Sequence, residues 1–177
     1  MKGKNILAMA VITGVLAALG GTAMSAQDKY AIKVPDGLAL SDFRGYEKWQ
    51  VVSISHAGEM IGVIVANPVM IEAYQAGVPG NGKHFPDGSK MVKIHWNAKK
   101  SAEAPAPTTV PDTLHDLDLM ERDSKKFADT GGWGYTQLNY DAATDTFKPL
   151  ANGHNCGFGC HTIVAAKDYV FTAFPRR

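Results

Sequence analysis

The sequence predicts an α+β domain, a mainly antiparallel β-sheet with a few short helices. Three observations predict it. Segments rich in β-branched and aromatic residues alternate apolar and polar positions, as half-buried strands do. Turn residues separate these segments at short intervals. Helix signals are few, and each stops soon after it starts.

The elements follow in order. Residues 49–55 (Trp-Gln-Val-Val-Ser-Ile-Ser) read as a first strand and residues 60–66 as a second, more apolar one. His56-Ala57-Gly58-Glu59 between them is the turn of a hairpin. Asn67-Pro68 supplies an N-cap and a first-turn proline, and Gly77 a stop. The short helix between them carries Met70, Ile71 and Tyr74 on its apolar side. Phe85-Pro86-Asp87-Gly88 is a turn with proline at its second position. Residues 89–96 follow as a strand. Its alternation puts Met91, Lys93 and His95 on one face, with Val92, Ile94 and Trp96 on the other. From 98 to 113 the composition shifts to Lys, Ala, Pro and Thr, which predicts a mobile surface excursion within the domain. Residues 114–120 alternate again. Ser124 is placed to cap a short helix running to about Asp129 and ended by Gly131-Gly132. Residues 133–140 read as a strand, 141–155 as a polar loop, and 169–172 as a last strand.

The N-terminus is set apart from this domain. Lys2 and Lys4 precede an apolar stretch from Ile6 to about Leu19, and Ala23, Ser25 and Ala26 follow. Charged, apolar and small-residue regions in that order predict a cleaved signal peptide over residues 1–26, export to the periplasm, and a single mature domain over 27–177. Removing Lys2 and Lys4 from 18 basic residues leaves 16 against 17 acids, a net charge of −1. Nothing in that balance points to nucleic acid or an anionic membrane surface.

Only two cysteines are present, in Asn155-Cys156-Gly157-Phe158-Gly159-Cys160-His161. Covalent haem attachment needs two thiols for the two vinyl groups, and an imidazole directly behind the second thiol to meet the iron. The usual spacing is C-x-x-C-H, and here one residue is added. The i, i+4 spacing still puts both thiols on one face of a helical turn, and Gly157 and Gly159 leave the backbone free to adjust. A Cys156–Cys160 disulfide is a rival that gives His161 no task. A zinc site from His154, Cys156, Cys160 and His161 has suitable ligand types but crowds a tetrahedron into eight residues. A thioredoxin-like pair wants C-x-x-C beside a βαβ unit, which is missing. One haem c per chain is therefore expected, with His161 as axial ligand. The chain ends at Arg177, 16 residues after His161, too few to supply a second ligand downstream. Met60, Met70, Met91 and Met120 lie upstream in apolar patterns that suit core packing. A five-coordinate iron with an open face is expected, which fits ligand binding or catalysis better than plain electron transfer.

From about residue 46 to residue 174 the chain resembles the cytochrome P460 family, which includes the cytochromes c′-β. The resemblance rests on an ordered set of pieces: the Trp49 strand, the strand end at Val63 to Asn67, the Phe85-Pro86-Asp87-Gly88 turn followed by a lysine strand, the Lys125, Phe127 and Gly131-Gly132-Trp133 segment, the terminal haem motif, and Asp168-Tyr169-Val170-Phe171-Thr172. It implies one haem against a β-rich, commonly dimeric domain. The P460 branch oxidises hydroxylamine, passes electrons to a small redox protein, and joins a lysine covalently to the haem edge; the matching residue is Lys93. The c′-β branch lacks that bond and binds nitric oxide. The chain departs from the family in the lengthened haem motif. Ile61 also stands where the hydroxylamine-oxidising branch has an arginine, which implies a less polar distal pocket.

Two functions follow as expectations: hydroxylamine oxidation, or nitric oxide capture without turnover. Lys93 favours the first, and its plain alternative is a strand lysine reaching water. Ile61 and the lack of an assigned proton acceptor favour the second. Asp141 and Asp145 are candidate bases only as acids near the motif. His95 is expected to be hydrogen-bonded or at the surface and His154 exposed, while His56, His84 and His115 lack ligand spacing. Phe85, Trp133, Tyr135 and Phe171 are expected in the core more than in a haem pocket.

Overall fold

The computed structural model describes residues 27–35 and 38–177; the expected signal peptide lies outside the described residues. Six antiparallel strands run in sequence order across one sheet. They are β1 (Gln50–Ala57), β2 (Met60–Ala66), β3 (Lys90–Lys100), β4 (Thr109–Arg122), β5 (Trp133–Asp141) and β6 (Thr146–Pro149). Helix α1 (Pro68–Gln75) joins β2 to β3, and α2 (Gly153–His161) follows β6 and leads into a 3₁₀ turn, Thr162–Lys167. This is the α+β architecture expected. Every strand pairs with its neighbour in sequence, so each pairing needs only a short connection.

Local chemistry explains most boundaries. Asn67 caps α1, its side-chain oxygen accepting from Met70 N at 3.1 Å, and Pro68 stands at the first turn, where no partner for an N–H is needed. Met70, Ile71 and Tyr74 are buried as expected. The residue in the Pro86-Asp87-Gly88 turn with positive φ is Gly88, at 84°.

Strand alternation sends side chains to two cores. On one face Val65, Val92, Leu117, Leu119 and Leu138 pack under Leu38, Leu40, Phe43 and Tyr46. On the other, Met91, Met120, Trp133 and Tyr135 pack with α1 and with Phe85 and Val170. Met91 and Val92 thus part as the period of two requires. Burying side chains such as Phe85 and Met70 contributes roughly 1.5–3 kcal/mol each.

Four expectations need correction. The excursion at 98–113 is largely paired: β3 and β4 extend so that Lys99 faces Val110 and Lys100 faces Thr109, leaving 101–108 as the tip. Polar pairs hold these arms, such as Lys99–Asp112 at 2.7 Å, so no apolar alternation marks them. A register shift between Trp96 and Ala98 precedes the Ala98–Pro111 pair. The polar loop at 141–155 contains β6 and the start of α2, with Phe147 buried opposite Tyr140. Ser124 is not the cap after β4: Asp123 Oδ1 accepts from Lys125 N and Lys126 N, and Ser124 bonds Asp87. The segment there is a run of turns with a short 3₁₀ piece at Ala128–Thr130. The last strand at 169–172 is absent, because Asp168 and Tyr169 take left-handed φ values of 52° and 61° and turn the chain out of any ladder.

Candidate functional site

Helix α2 lies against β5 because its residues permit close approach. A Cβ on Gly157 would stand 2.6 Å from Cβ of Tyr135, and Gly153 is buried against the Gln137 backbone. Gly157 therefore acts by closeness of packing more than by backbone freedom. The same sheet-facing side of α2 borders a cleft of about 380 Å3, within the roughly 300–1,000 Å3 of cofactor and ligand sites. Cys156, Cys160 and His161 line it from the helix. Ile64, Lys93, Asp118 and Gln137 line it from the sheet, and they form one cross-strand row over β2, β3, β4 and β5. Met91, Met120 and Tyr135 form the next row, and Phe171 closes the side.

The helix presents both thiols free and exposed, one turn apart. His161 is half-buried between the rings of Tyr135, at 5.0 Å, and Phe171, at 4.9 Å. Its Nδ1–H donates to the Tyr169 carbonyl at 2.5 Å, which leaves Nε2 as the nitrogen open to a metal. Burial pushes the imidazole pKa down; the Tyr169 bond opposes this, and the Lys93 charge adds to it. A neutral imidazole with a fixed tautomer is a ready iron ligand. Two thiols on the lip, this histidine behind them and an apolar, aromatic cleft together fit a covalently attached haem. The rivals fare less well. His154 accepts from Tyr135 N at 3.3 Å and packs at a tilt against Phe127, and the four zinc donors do not converge. No βαβ unit flanks the cysteines in this antiparallel sheet.

Lys93 stands on the cleft wall, paired across strands with Ile64 and Asp118. Gly62 makes room for it: a Cβ there would meet Lys93 Cε at 3.0 Å and His95 Cδ2 at 3.1 Å. Lys90 points to the opposite face, donating to the Asp42 carbonyl and pairing with Glu121 at 3.1 Å. Asp118 is the acid in the cleft, and its pKa is pushed up to about 6 by burial and then by the Asp116 charge, against the pull of His95 and Lys93. His95 Nδ1 lies 2.6 Å from Asp116 Oδ1 and 3.7 Å from Asp118 Oδ2. Burial alone would raise the Asp116 pKa, but hydrogen bonds from His95 and His115 hold it below the usual range. Among the described residues, His95, Asp116 and Asp118 are also the grouping close enough to share an ion, with donor atoms within 4.8 Å.

Other expected residues lie elsewhere. Asp141 is bound by its own turn and by Lys148, and Asp145 accepts from Tyr140 OH; neither lines the cleft. Ile61 pairs with Trp96, out of phase with Gly62 and Ile64, so it does not set the polarity of the cleft. His154 is half-buried instead of exposed. His95 is hydrogen-bonded as expected. His84 pairs with Asp168 at 2.7 Å, and His56 is exposed. Met70 is core, whereas Met91 and Met120 are core residues that also form the cleft floor. Phe85 and Trp133 are core, Tyr135 is a core residue that also lines the cleft, and Phe171 is exposed and lines the cleft.

Asp118 and its partners were not singled out from sequence. Their signal was the alternation in His115-Asp116-Leu117-Asp118-Leu119-Met120, which puts both acids and Met120 on one face of a strand. Only the register with β3 reveals that this is the Lys93 face.

The family model described as Cytochrome P460 matches residues 43–172, most of the chain. No curated protein matches it.

Proposed function

Since the chain belongs to the cytochrome P460 family, and so to the c-type cytochromes, we propose that it is an exported mono-haem protein that oxidises hydroxylamine and passes the electrons to a small redox protein. Cys156 and Cys160 are the tethers and His161 is the axial ligand. The observation that carries the reading is the placing of Lys93 and Asp118 side by side on the cleft wall. When bound, the haem supplies an open iron position for a nitrogen ligand and a path for electrons.

The chain's own residues do the rest. His161 is held in one orientation by the Tyr169 carbonyl. Asp118, with its pKa near 6, is ionised at neutral pH yet still able to take up a proton, the property wanted of a general base. The proton is taken at Asp118, beside His95, whose Nδ1–H is committed to Asp116 at 2.6 Å and fixes that neighbouring carboxylate. Met91, Met120, Ile64 and Phe171 exclude water around it. Lys93 is the residue for the covalent link to the haem edge that the P460 branch carries, and its place on the cleft wall supports that role. Periplasmic location and a homodimer belong to the same proposal.

The second reading, nitric oxide capture by an unlinked haem, draws on that apolar cleft lining. The two separate in one experiment. Wild type, Lys93→Leu and Lys90→Leu are matured in a periplasm with haem-attachment machinery, and each is measured for intact mass, ferrous spectrum and hydroxylamine turnover. The expected result is added haem in all three, with a far-red ferrous Soret band and turnover lost only in Lys93→Leu. Ordinary c-type spectra and no turnover in any of the three would leave the nitric oxide reading. A wild-type mass without haem would defeat both.

A further inference from the structure

The geometry points to Asp168 as a positioning residue that, through Tyr169, sets how strongly His161 donates to the iron, and so sets the redox poise of the centre; this rests on the haem reading above. Asp168 is 2% exposed at its side chain and its carboxylate is fully engaged. Oδ1 accepts from Arg122 Nη1 at 3.1 Å and lies 2.7 Å from His84 Nδ1, while Oδ2 accepts from Phe85 N at 2.7 Å. Arg122 is fixed in turn. Its side chain is 9% exposed, its Nη1 also donates to the Gly131 carbonyl at 3.1 Å, and its guanidinium stands 5.6 Å from the Trp133 ring.

The next residue is Tyr169, whose carbonyl receives the His161 Nδ1–H. Asp168 and Tyr169 both take left-handed backbone angles, which L residues adopt rarely and only where the surroundings impose them. The surroundings here are explicit. The Asp168 carboxylate is pinned from three sides. The Tyr169 ring lies so close over Gly131 that a Cβ there would stand 2.2 Å from Tyr169 Cε2. The Phe158 ring of α2 packs at a tilt against the same ring, centroids 5.9 Å apart. A turn after the haem helix, a turn before β3 and the end of β4 are thus tied together, and the carbonyl they aim is the acceptor for the iron ligand.

A short Nδ1–H···O=C bond gives the imidazole more imidazolate character and makes it a stronger donor, which favours the ferric state. Loosening the acceptor does the reverse.

The test uses the haem-loaded protein. Wild type, Asp168→Asn, Arg122→Lys and His84→Ala are compared by ferrous resonance Raman for the iron–histidine stretch, by spectroelectrochemistry for the midpoint potential, and by thermal unfolding. Asp168→Asn is expected to lower the stretch and to raise the ferrous-to-ferric ratio at fixed potential about tenfold, equivalent to ~59 mV for one electron. His84→Ala, at an exposed position, removes one contact to the carboxylate and moves both readouts the same way by less. A purely structural anchor would lower the unfolding temperature and leave stretch and potential at their wild-type values, which overturns the proposal. If Asp168→Asn takes up no haem, the other two variants decide: shifts in both support it, and wild-type values in both overturn it. Wild type without haem would sink the haem reading itself, an outcome separate from unchanged values in loaded variants.

Discussion

Asp118 is surrounded by groups that pull its charge in opposite directions. Burial and Asp116 raise its pKa to about 6 from 3.8, while His95 and Lys93 resist. The folded protein therefore holds this proton more tightly than the unfolded chain does. The stability this gives is complete below about pH 3.8 and is lost as pH rises through about 6. Asp118→Asn should be the more stable protein above pH 6, by about 1–2 kcal/mol, and the two should converge near pH 4. The full shift would be worth roughly 3 kcal/mol, and the partly exposed side chain reduces it. Urea unfolding of both proteins from pH 4 to 8 measures the difference; a constant gap across the range would show that Asp118 does not titrate there. Its chemical role gives a second expectation. Hydroxylamine turnover should rise with pH along a limb centred near 6, and Asp118→Asn should lose roughly 10²–10⁴-fold, the usual worth of a positioned base. Loss of turnover with the pH limb intact would assign the base elsewhere. At this scale the sequence was legible where chemistry is local. Cys156, Cys160 and His161 share one helical turn, and Lys93 was placed by alternation. Asp118, Arg122 and Asp168 gain their meaning from strands and turns that meet only in the fold.

Helix α2 connects the tethers to the sheet, and Gly157 is its point of nearest approach. Gly157→Ala should push the helix off Tyr135, since the added Cβ would stand 2.6 Å from Tyr135 Cβ. The expected loss is about 1–3 kcal/mol of stability, as for other overpacked contacts, together with incomplete attachment, seen by intact mass as a mixture of haem-loaded and unloaded chains. Gly159→Ala is the control, because nothing lies within 4 Å of its added Cβ. Full attachment in both would separate the helix position from the tethering. At α1, Asn67→Ala should cost about 1 kcal/mol through loss of the cap, with a lower unfolding temperature and an unchanged haem spectrum. Elements with a strong local signal were read close to their true ends: α1 has Asn67, Pro68 and Gly77, and β2 is an unbroken apolar run. The outer arms of β3 and β4 and the whole of β6 were not. Their pairs are polar or rest on the single buried Phe147, so the pattern of apolar residues carries no trace of them.

The sheet is a meander in which strand order equals sequence order, and both faces are covered by segments of the same chain. That α+β plan was legible because every pairing joins sequence neighbours, whereas the burial of one face by Leu38, Leu40 and Phe43 was not, since nothing local links them to Val92 or Leu117. Contacts between neighbouring strands close small loops, which favours rapid assembly for a β protein. The tethers come last, on α2, after all six strands. The cleft-lining strand residues, among them Ile64, Met91, Lys93, Asp118, Met120 and Tyr135, thus belong to the meander, while both thiols stay on an open lip. Maturation would then be the filling of a ready-made cup, with the haem handed in through its mouth after the walls have set.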